Sequence, residues 1–341
     1  MKLNEIKYEA GGNISHMLKI NYLISGGIIT NYNCSSKCRH CVYASSPGWP
    51  KDYMTASVAD EVFSLLKKLG CHTVHIGGGE PLLRLEKLIP VLESAARNNI
   101  GIDYIETNAS WFKDEQSAVH VLKELMGHNV HTLLISIDPF HNEYIPFCKV
   151  KGLMEACSRV NMGVFPWLME FWSDLASMDD KKPHSLEEYS RRFGKNYIIS
   201  LPSRYGLNLR GRALETYKPM MRKDSYERIV KRSAPCRLLS GVHHFHVDLY
   251  GNFIPQSCSG LSIKFSELFK GADPDKYPVF YRLETAGIKG LADLAVQEYG
   301  YKPKPQYAGQ CDLCQDIRSF LALEVEEAFP DLQPAGFYRF I

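Results

Sequence analysis

The chain predicts an α/β protein whose core is a parallel sheet or partial (β/α)6 barrel of the TIM type, followed by a small C-terminal α+β unit. Three observations lead there. Short apolar runs alternate with helix-period stretches through the middle of the chain, the pattern of strands joined by crossover helices. Residues able to do chemistry follow the first two runs closely, as they do at the C-terminal mouth of a β/α barrel. Beyond about residue 233 the pattern changes to an alternating stretch broken by a turn, then clustered cysteines.

In chain order, the strand candidates are 27–31, 73–76, 101–106, 131–137, 162–168 and 197–201. Helix-period stretches lie near 55–69, 84–98, 114–126, 144–158 and 185–193, and a long loop spans 172–183. Periodicity alone equally permits a doubly wound sheet; the position of the chemistry favours the barrel. The expected division is an N-terminal extension 1–26, a barrel 27–233 and a C-terminal unit 234–341.

The 341 residues, 45% of them hydrophobic, suffice for one large core and a smaller one. A net charge of +2 gives no argument for nucleic acid or an anionic membrane as partner. Residues 1–26 lack the order of a signal peptide, and no apolar run reaches the roughly 20 residues of a membrane span. Ten cysteines, clustered and without an export signal, point to metal binding in a reducing, cytoplasmic compartment.

Cys34, Cys38 and Cys41 form a CxxxCxxC spacing. Thiolates select zinc, copper(I) or iron-sulfur clusters, and a four-iron cubane held by three of them keeps one iron open. Downstream, Gly77-Gly78-Gly79-Glu80-Pro81 closes the second strand candidate. Glycines let backbone approach closely, and Glu80 offers an acceptor for an ammonium group; alone, the segment also reads as an ordinary turn.

Together these segments resemble the radical S-adenosylmethionine (SAM) enzymes. The resemblance implies a [4Fe-4S] cluster on Cys34, Cys38 and Cys41, with SAM on its open iron and its methionyl amine held by Gly78, Gly79 and Glu80. It implies His40 against the adenine, and Asn108, Ser136 and Asp138 near the ribose and the reacting substrate. Those three residues equally suit caps and turns. Arg212, in Asn208-Leu209-Arg210-Gly211-Arg212-Ala213, resembles a family arginine able to clamp a carboxylate; two solvated loop arginines are the alternative.

The hairpin-like stretch 244–255, with Cys236, Cys258 and a CxxC at Cys311 and Cys314, resembles the short auxiliary-cluster domain called twitch, the smaller relative of SPASM. It implies a second [4Fe-4S] cluster, with a four-cysteine zinc site as the alternative. Cys71, Cys148 and Cys157 read as buried small hydrophobes, although Cys148 can face the cavity. His141 and Glu143 stand where a general base can reach a substrate, or His141 only caps a helix. Aromatics in 165–172 either line a cavity or pack inside.

The implied activity is that of a radical SAM oxidoreductase: reductive cleavage of SAM to a 5'-deoxyadenosyl radical and hydrogen abstraction from a substrate. A reducing partner such as flavodoxin or ferredoxin supplies the electron. A closed auxiliary cluster favours net oxidation or crosslinking of a peptide or protein. Dehydrogenation of a small sugar- or cyclitol-like molecule is the alternative, and a non-catalytic metal-binding scaffold the third reading.

Overall fold

The computed structural model describes residues 17–256, 258–326 and 328–341. Most of the 1–26 extension lies outside the described residues. Five parallel strands, β1 (Ser25–Ile29), β2 (Thr73–Gly77), β3 (Gly101–Thr107), β4 (Thr132–Ser136) and β5 (Gly163–Trp167), pair in sequence order. Parallel neighbours need crossovers. These are α1 (Ala56–Lys68), α2 (Leu85–Arg97), α3 (Glu115–Gly127), and the pair α4 (Pro139–Asn142) and α5 (Phe147–Val160). The expected helices near 55–69, 84–98, 114–126 and 144–158 are therefore present. Thr55 caps α1 by accepting the Val58 N–H at 3.3 Å, and Asp114 caps α3 by accepting that of Ser117 at 2.8 Å. The stripe Ala59, Val62, Phe63 and Leu66 turns α1 onto the sheet, whose Ile28, Val74, Ile76 and Ile105 are fully buried.

After β5 come α6 (Trp172–Ala176), α7 (Leu186–Phe193), α8 (Tyr197–Tyr205) and α9 (Gly211–Tyr217). The sixth strand expected at 197–201 is thus a helix. Tyr197 and Leu201, four apart, are buried while Ile199 between them is 60% exposed, which is helical and not strand spacing. The sixth parallel partner comes instead from the C-terminal third.

There, β6 (Asp224–Ser225) and α10 (Tyr226–Lys231) lead to β7 (His243–Asp248), β8 (Asn252–Ile254) and β9 (Ile263–Lys264). β7 pairs parallel to the free edge of β1, Ile28 opposite Val247, and β8 and β9 follow antiparallel. The predicted hairpin is present, its turn held by Asp248 Oδ1, which accepts the N–H groups of Tyr250 and Asn252, both at 3.0 Å. α11 (Phe265–Lys270) and α12 (Pro278–Tyr299, broken at Gly287) follow. The chain closes with β10 (Gln306–Tyr307), α13 (Gln310–Leu323) and α14 (Gly336–Phe340). Among the described residues, no helix is long and apolar enough to cross a membrane.

Candidate active site

Segments after β1 and β2 are bound to each other before any ligand is considered. The Gly79 N–H donates to Asn31 O at 2.7 Å, the Glu80 N–H to Asn33 O at 3.1 Å, and Asn31 Nδ2 to Glu80 O at 3.2 Å. A Cβ on Gly79 would lie 2.1 Å from Asn33 O, and one on Gly78 2.5 Å from Asn31 Oδ1. The two glycines therefore let the end of β2 rest on the segment that feeds Cys34.

Beside this contact opens a cavity of about 520 Å³. Cys34, Cys38, Cys41 and His40 border it from one loop, Gly78, Gly79 and Glu80 from the end of β2. Asn108, Ser136, His141 and Arg212 complete the expected set, with Asp138 behind His141. Burial pushes the Cys34 and Cys38 thiols up, and each sulfur is close enough to the others that its ionisation opposes theirs. Three thiols and no fourth among the described lining residues match the donor set that a cluster with one open iron requires.

Glu80 is fully buried, with Oε1 accepting from Leu82 N (3.1 Å) and Thr107 Oγ1 (3.0 Å) and Oε2 from Asn108 N (2.7 Å). Burial nevertheless pushes its carboxyl up to about 7, because those donors are neutral. Asn108 turns its Nδ2 to Cys34 Sγ at 3.5 Å.

Several expected roles meet a different geometry. Asp138 is the N-cap of α4, accepting the His141 N–H at 3.0 Å, and its other oxygen lies 2.7 Å from His141 Nδ1. Burial alone would raise the Asp138 carboxyl, but His141 holds it down at about 2. His141 also bonds toward Cys38, so its ring is engaged at the cysteine loop and not held free for a substrate. Glu143 is paired with Arg39 at 3.0 Å. Arg212, expected as a carboxylate clamp, is buried and donates to the carbonyls of Cys38 (3.0 Å), Phe340 (3.4 Å) and Ser45. It braces the cysteine loop. His40 stacks on Phe140 at 4.6 Å and meets the Tyr205 hydroxyl at 3.2 Å; burial holds its imidazole down at about 3.

Sequence reading offered Trp167 as a cavity-lining aromatic but missed the rest of its wall. Tyr104, Glu106, Trp167, Tyr205, His244 and His246 border the cavity, and His75 stands behind with its Nε2 3.1 Å from that of His246 and 3.7 Å from Glu106 Oε1. Gly27 on β1 leaves room for the His75 ring, which would touch a Cβ there at 2.2 Å. Burial lowers His75 to about 4, keeps His246 neutral as well and pushes Glu106 up to about 7, less firmly because 43% of the Glu106 side chain is open to the cavity. The only local signal was a histidine inside an apolar strand run. Of the aromatics in 165–172, Trp167 faces the cavity, Phe171 is buried and Phe165 is 45% exposed. Cys71 and Cys157 are fully buried, and the half-buried Cys148 does not border the cavity.

Cys236, Cys258, Cys311 and Cys314 converge on a second cavity of about 240 Å³. α13 brings Cys311 and Cys314 onto one face, the β8–β9 connection brings Cys258, and the segment before β7 brings Cys236. Burial pushes Cys236 up to about 12 and Cys314 to about 11, and neighbouring thiols add to both. Four thiols on one cavity, with burial opposing the ionisation of Cys236, Cys258 and Cys314, are suited to a thiophilic cation that draws their protons off.

A search of curated proteins gave no match. Solved structures that resemble the chain include Streptococcus suis SuiB bound to precursor peptide SuiA (15% identity, 79% of this chain and 71% of that one, TM-score 0.37). Another is anSMEcpe with bound AdoMet and Cp18Cys peptide (16%, 76% and 84%, TM-score 0.40). Coproporphyrinogen III oxidase (HemN) from Escherichia coli, a radical SAM enzyme, is a third (11%, 56% and 54%, TM-score 0.30). Likeness at this level carries no argument about substrate. Residues 28–159 match the family described as Radical SAM superfamily, and that stretch contains the three-cysteine loop, Glu80 and its glycines, the end of β1 and all of β2 to β4.

Proposed function

We propose that the protein reductively cleaves SAM and uses the resulting radical to oxidise a substrate in the 520 Å³ cavity. The observation that carries this reading is the convergence of Cys34, Cys38, Cys41 and Glu80 on one cavity wall. Cys34, Cys38 and Cys41 would hold the cluster and Glu80 the SAM ammonium, and the bound pair would supply one-electron cleavage of SAM and hydrogen-atom abstraction. The chain's own residues orient and enclose. Glu80 receives the SAM ammonium, Arg212 holds the cysteine loop in shape, and Asn108 steadies Cys34. Glu106, which is partly open to the cavity and has His75 3.7 Å behind it, can take a proton from the substrate as it is oxidised.

The quartet of Cys236, Cys258, Cys311 and Cys314 is proposed to hold a second [4Fe-4S] cluster, which would supply a one-electron acceptor for the oxidised substrate. For substrate class we place peptide or protein modification first. The exposed Phe165 and Met169 near Trp167 give an extended apolar surface beyond the cavity itself. The polar wall of histidines supports the second reading, oxidation of a small hydroxylated or aminated molecule.

Anaerobic reconstitution, reduction and addition of SAM test the reaction. Formation of 5'-deoxyadenosine is expected, and Cys38→Ala abolishes it because two thiols do not retain the cluster. A wild-type protein that holds iron yet forms no 5'-deoxyadenosine is an inert scaffold. Iron and sulfide analysis tests the second cluster, with about eight irons per chain expected from two four-iron groups. About four irons with zinc as the remainder would leave the quartet a zinc site.

A further inference from the structure

Arg318 lies on α13 one turn beyond Cys314, so the two share a helix face. Its Nη1 donates to the Ser259 carbonyl at 3.0 Å and to the Tyr338 hydroxyl at 3.1 Å. The residue is 6% exposed, and its Nε is buried with no protein partner that meets hydrogen-bond geometry. Among the described residues, no carboxylate forms an ion pair with it. Asp331, a carboxyl within reach of its charge, is pushed up to about 7 by burial and accepts the Phe280 N–H at 2.8 Å. A guanidinium buried this way, without a full counter-charge, is expensive.

What does stand beside it is the thiol quartet. Cys314 is in hydrogen-bonding reach, and Cys258 is near enough to feel its charge. Four thiolates around a metal group carry net negative charge, which would match the cation and give the unpartnered Nε–H an acceptor. Arg210 borders the same cavity, but it is only half-buried and donates to the Gln256 carbonyl, so water weakens its effect.

We propose that Arg318 is the counter-charge of the metal group on Cys236, Cys258, Cys311 and Cys314, and that its Nε–H donates to the Cys314 sulfur and raises the reduction potential of that centre. This rests on the reading of the quartet as a [4Fe-4S] site. Reduction adds one negative charge to the cluster, so a fixed cation and a donor to sulfur stabilise the reduced state more than the oxidised one. Arg318 is thus a positioning and tuning residue, placed so that the rear cluster accepts an electron readily.

The test uses the full chain with Cys34, Cys38 and Cys41 all changed to Ala, so that only the rear cluster titrates. Anaerobic reconstitution is followed by EPR-monitored redox titration with dithionite. Arg318→Met in this background is expected to weaken reduction at least tenfold, a downward shift of about 59 mV for one electron. Arg318→Lys keeps the charge and is expected to recover most of that shift. A Met variant with full iron content and an unchanged potential overturns the inference. Should the Met variant lose its iron, the Lys variant decides: a potential close to the parent's supports the counter-charge, and a fall of about 59 mV or more with full iron content overturns it. If the parent triple variant holds zinc or no iron, the reading of the quartet fails first, and the iron analysis separates that outcome from a failure of Arg318.

Discussion

Glu80 is a buried carboxylate held by three neutral donors, and that combination makes its protonation sensitive to ligand. Burial raises its folded pKa to about 7, against about 4.3 for an unfolded glutamate. Between those values the folded chain holds a proton that the unfolded chain has released. Its contribution is therefore fully present below about pH 4.3 and is lost as pH rises through about 7. Chemical denaturation of the metal-free protein across that window is expected to show this fall, and Glu80→Gln to flatten it. An arriving ammonium favours the ionised form, so SAM binding should release a proton near pH 6.5. Calorimetry in buffers of different ionisation enthalpy reads that release directly, and its persistence in Glu80→Gln would remove Glu80 from the SAM site. At pH 8 the same variant should bind SAM roughly tenfold more weakly, the order expected for losing one charge-assisted hydrogen bond. That Glu80 and the three cysteines meet at one site was legible in the sequence from their spacing. Arg212 was not, because its partners are the main-chain carbonyls of Cys38, Ser45 and Phe340, and no side-chain pattern records them. His75, Glu106 and His246 were missed for a related reason: they come from three strands, and only the sheet brings them together.

At the scale of elements, the contact between the end of β2 and the cysteine loop decides what the glycines tolerate. Gly79→Ala would put a methyl group 2.1 Å from Asn33 O and 2.5 Å from Asn33 C, both backbone atoms that cannot swing aside. The Glu80 N–H to Asn33 O bond would be pried open with them. Cluster retention and thermal stability are expected to fall together, by the 1–3 kcal/mol typical of overpacking or more. Gly127, at the end of α3, has open space where a methyl group would sit, with nothing within 4 Å, so Gly127→Ala should instead stabilise by about 0.5–1 kcal/mol. Thermal melts of the two variants side by side check the signs, and a tolerated Gly79→Ala would show that the loop yields more easily than the packing indicates. The first five strands and the helices between them could be read from periodicity because each repeats a clear apolar run and an amphipathic stretch. The run at 197–201 misled because five residues are too few to separate strand from helix. Its burial follows Tyr197 and Leu201, not alternate residues, and Gly206 with φ +67° ends α8.

Across the whole molecule, the parallel pairing of β1 with β7 joins residues more than 200 positions apart, and no local pattern announces it. It makes the proposed boundary at 233/234 a boundary in sequence and not in the sheet. Other ties run the same way. Tyr32 OH donates to Asp248 Oδ2 at 3.0 Å, the Gly211 N–H donates to Gln315 Oε1 at 3.1 Å, and Arg212 reaches the Phe340 carbonyl. The cysteine loop and the segments around it are thus held by residues from β7, α13 and α14. A chain ending at residue 233 would leave β1, with its buried Ile28 and Ile29, as an open edge in the middle of an apolar surface. Such edges pair with other chains. The truncated protein is expected to associate on size-exclusion chromatography, to lack a cooperative unfolding transition and to retain little iron on Cys34, Cys38 and Cys41. A monomeric fragment that melts cooperatively and holds about four irons would mean that the C-terminal third is an appended unit, separable from the barrel. Failure to fold, by contrast, would make both thiol clusters parts of one sheet-centred body, in which the rear residues shape the front loop before any electron moves between them.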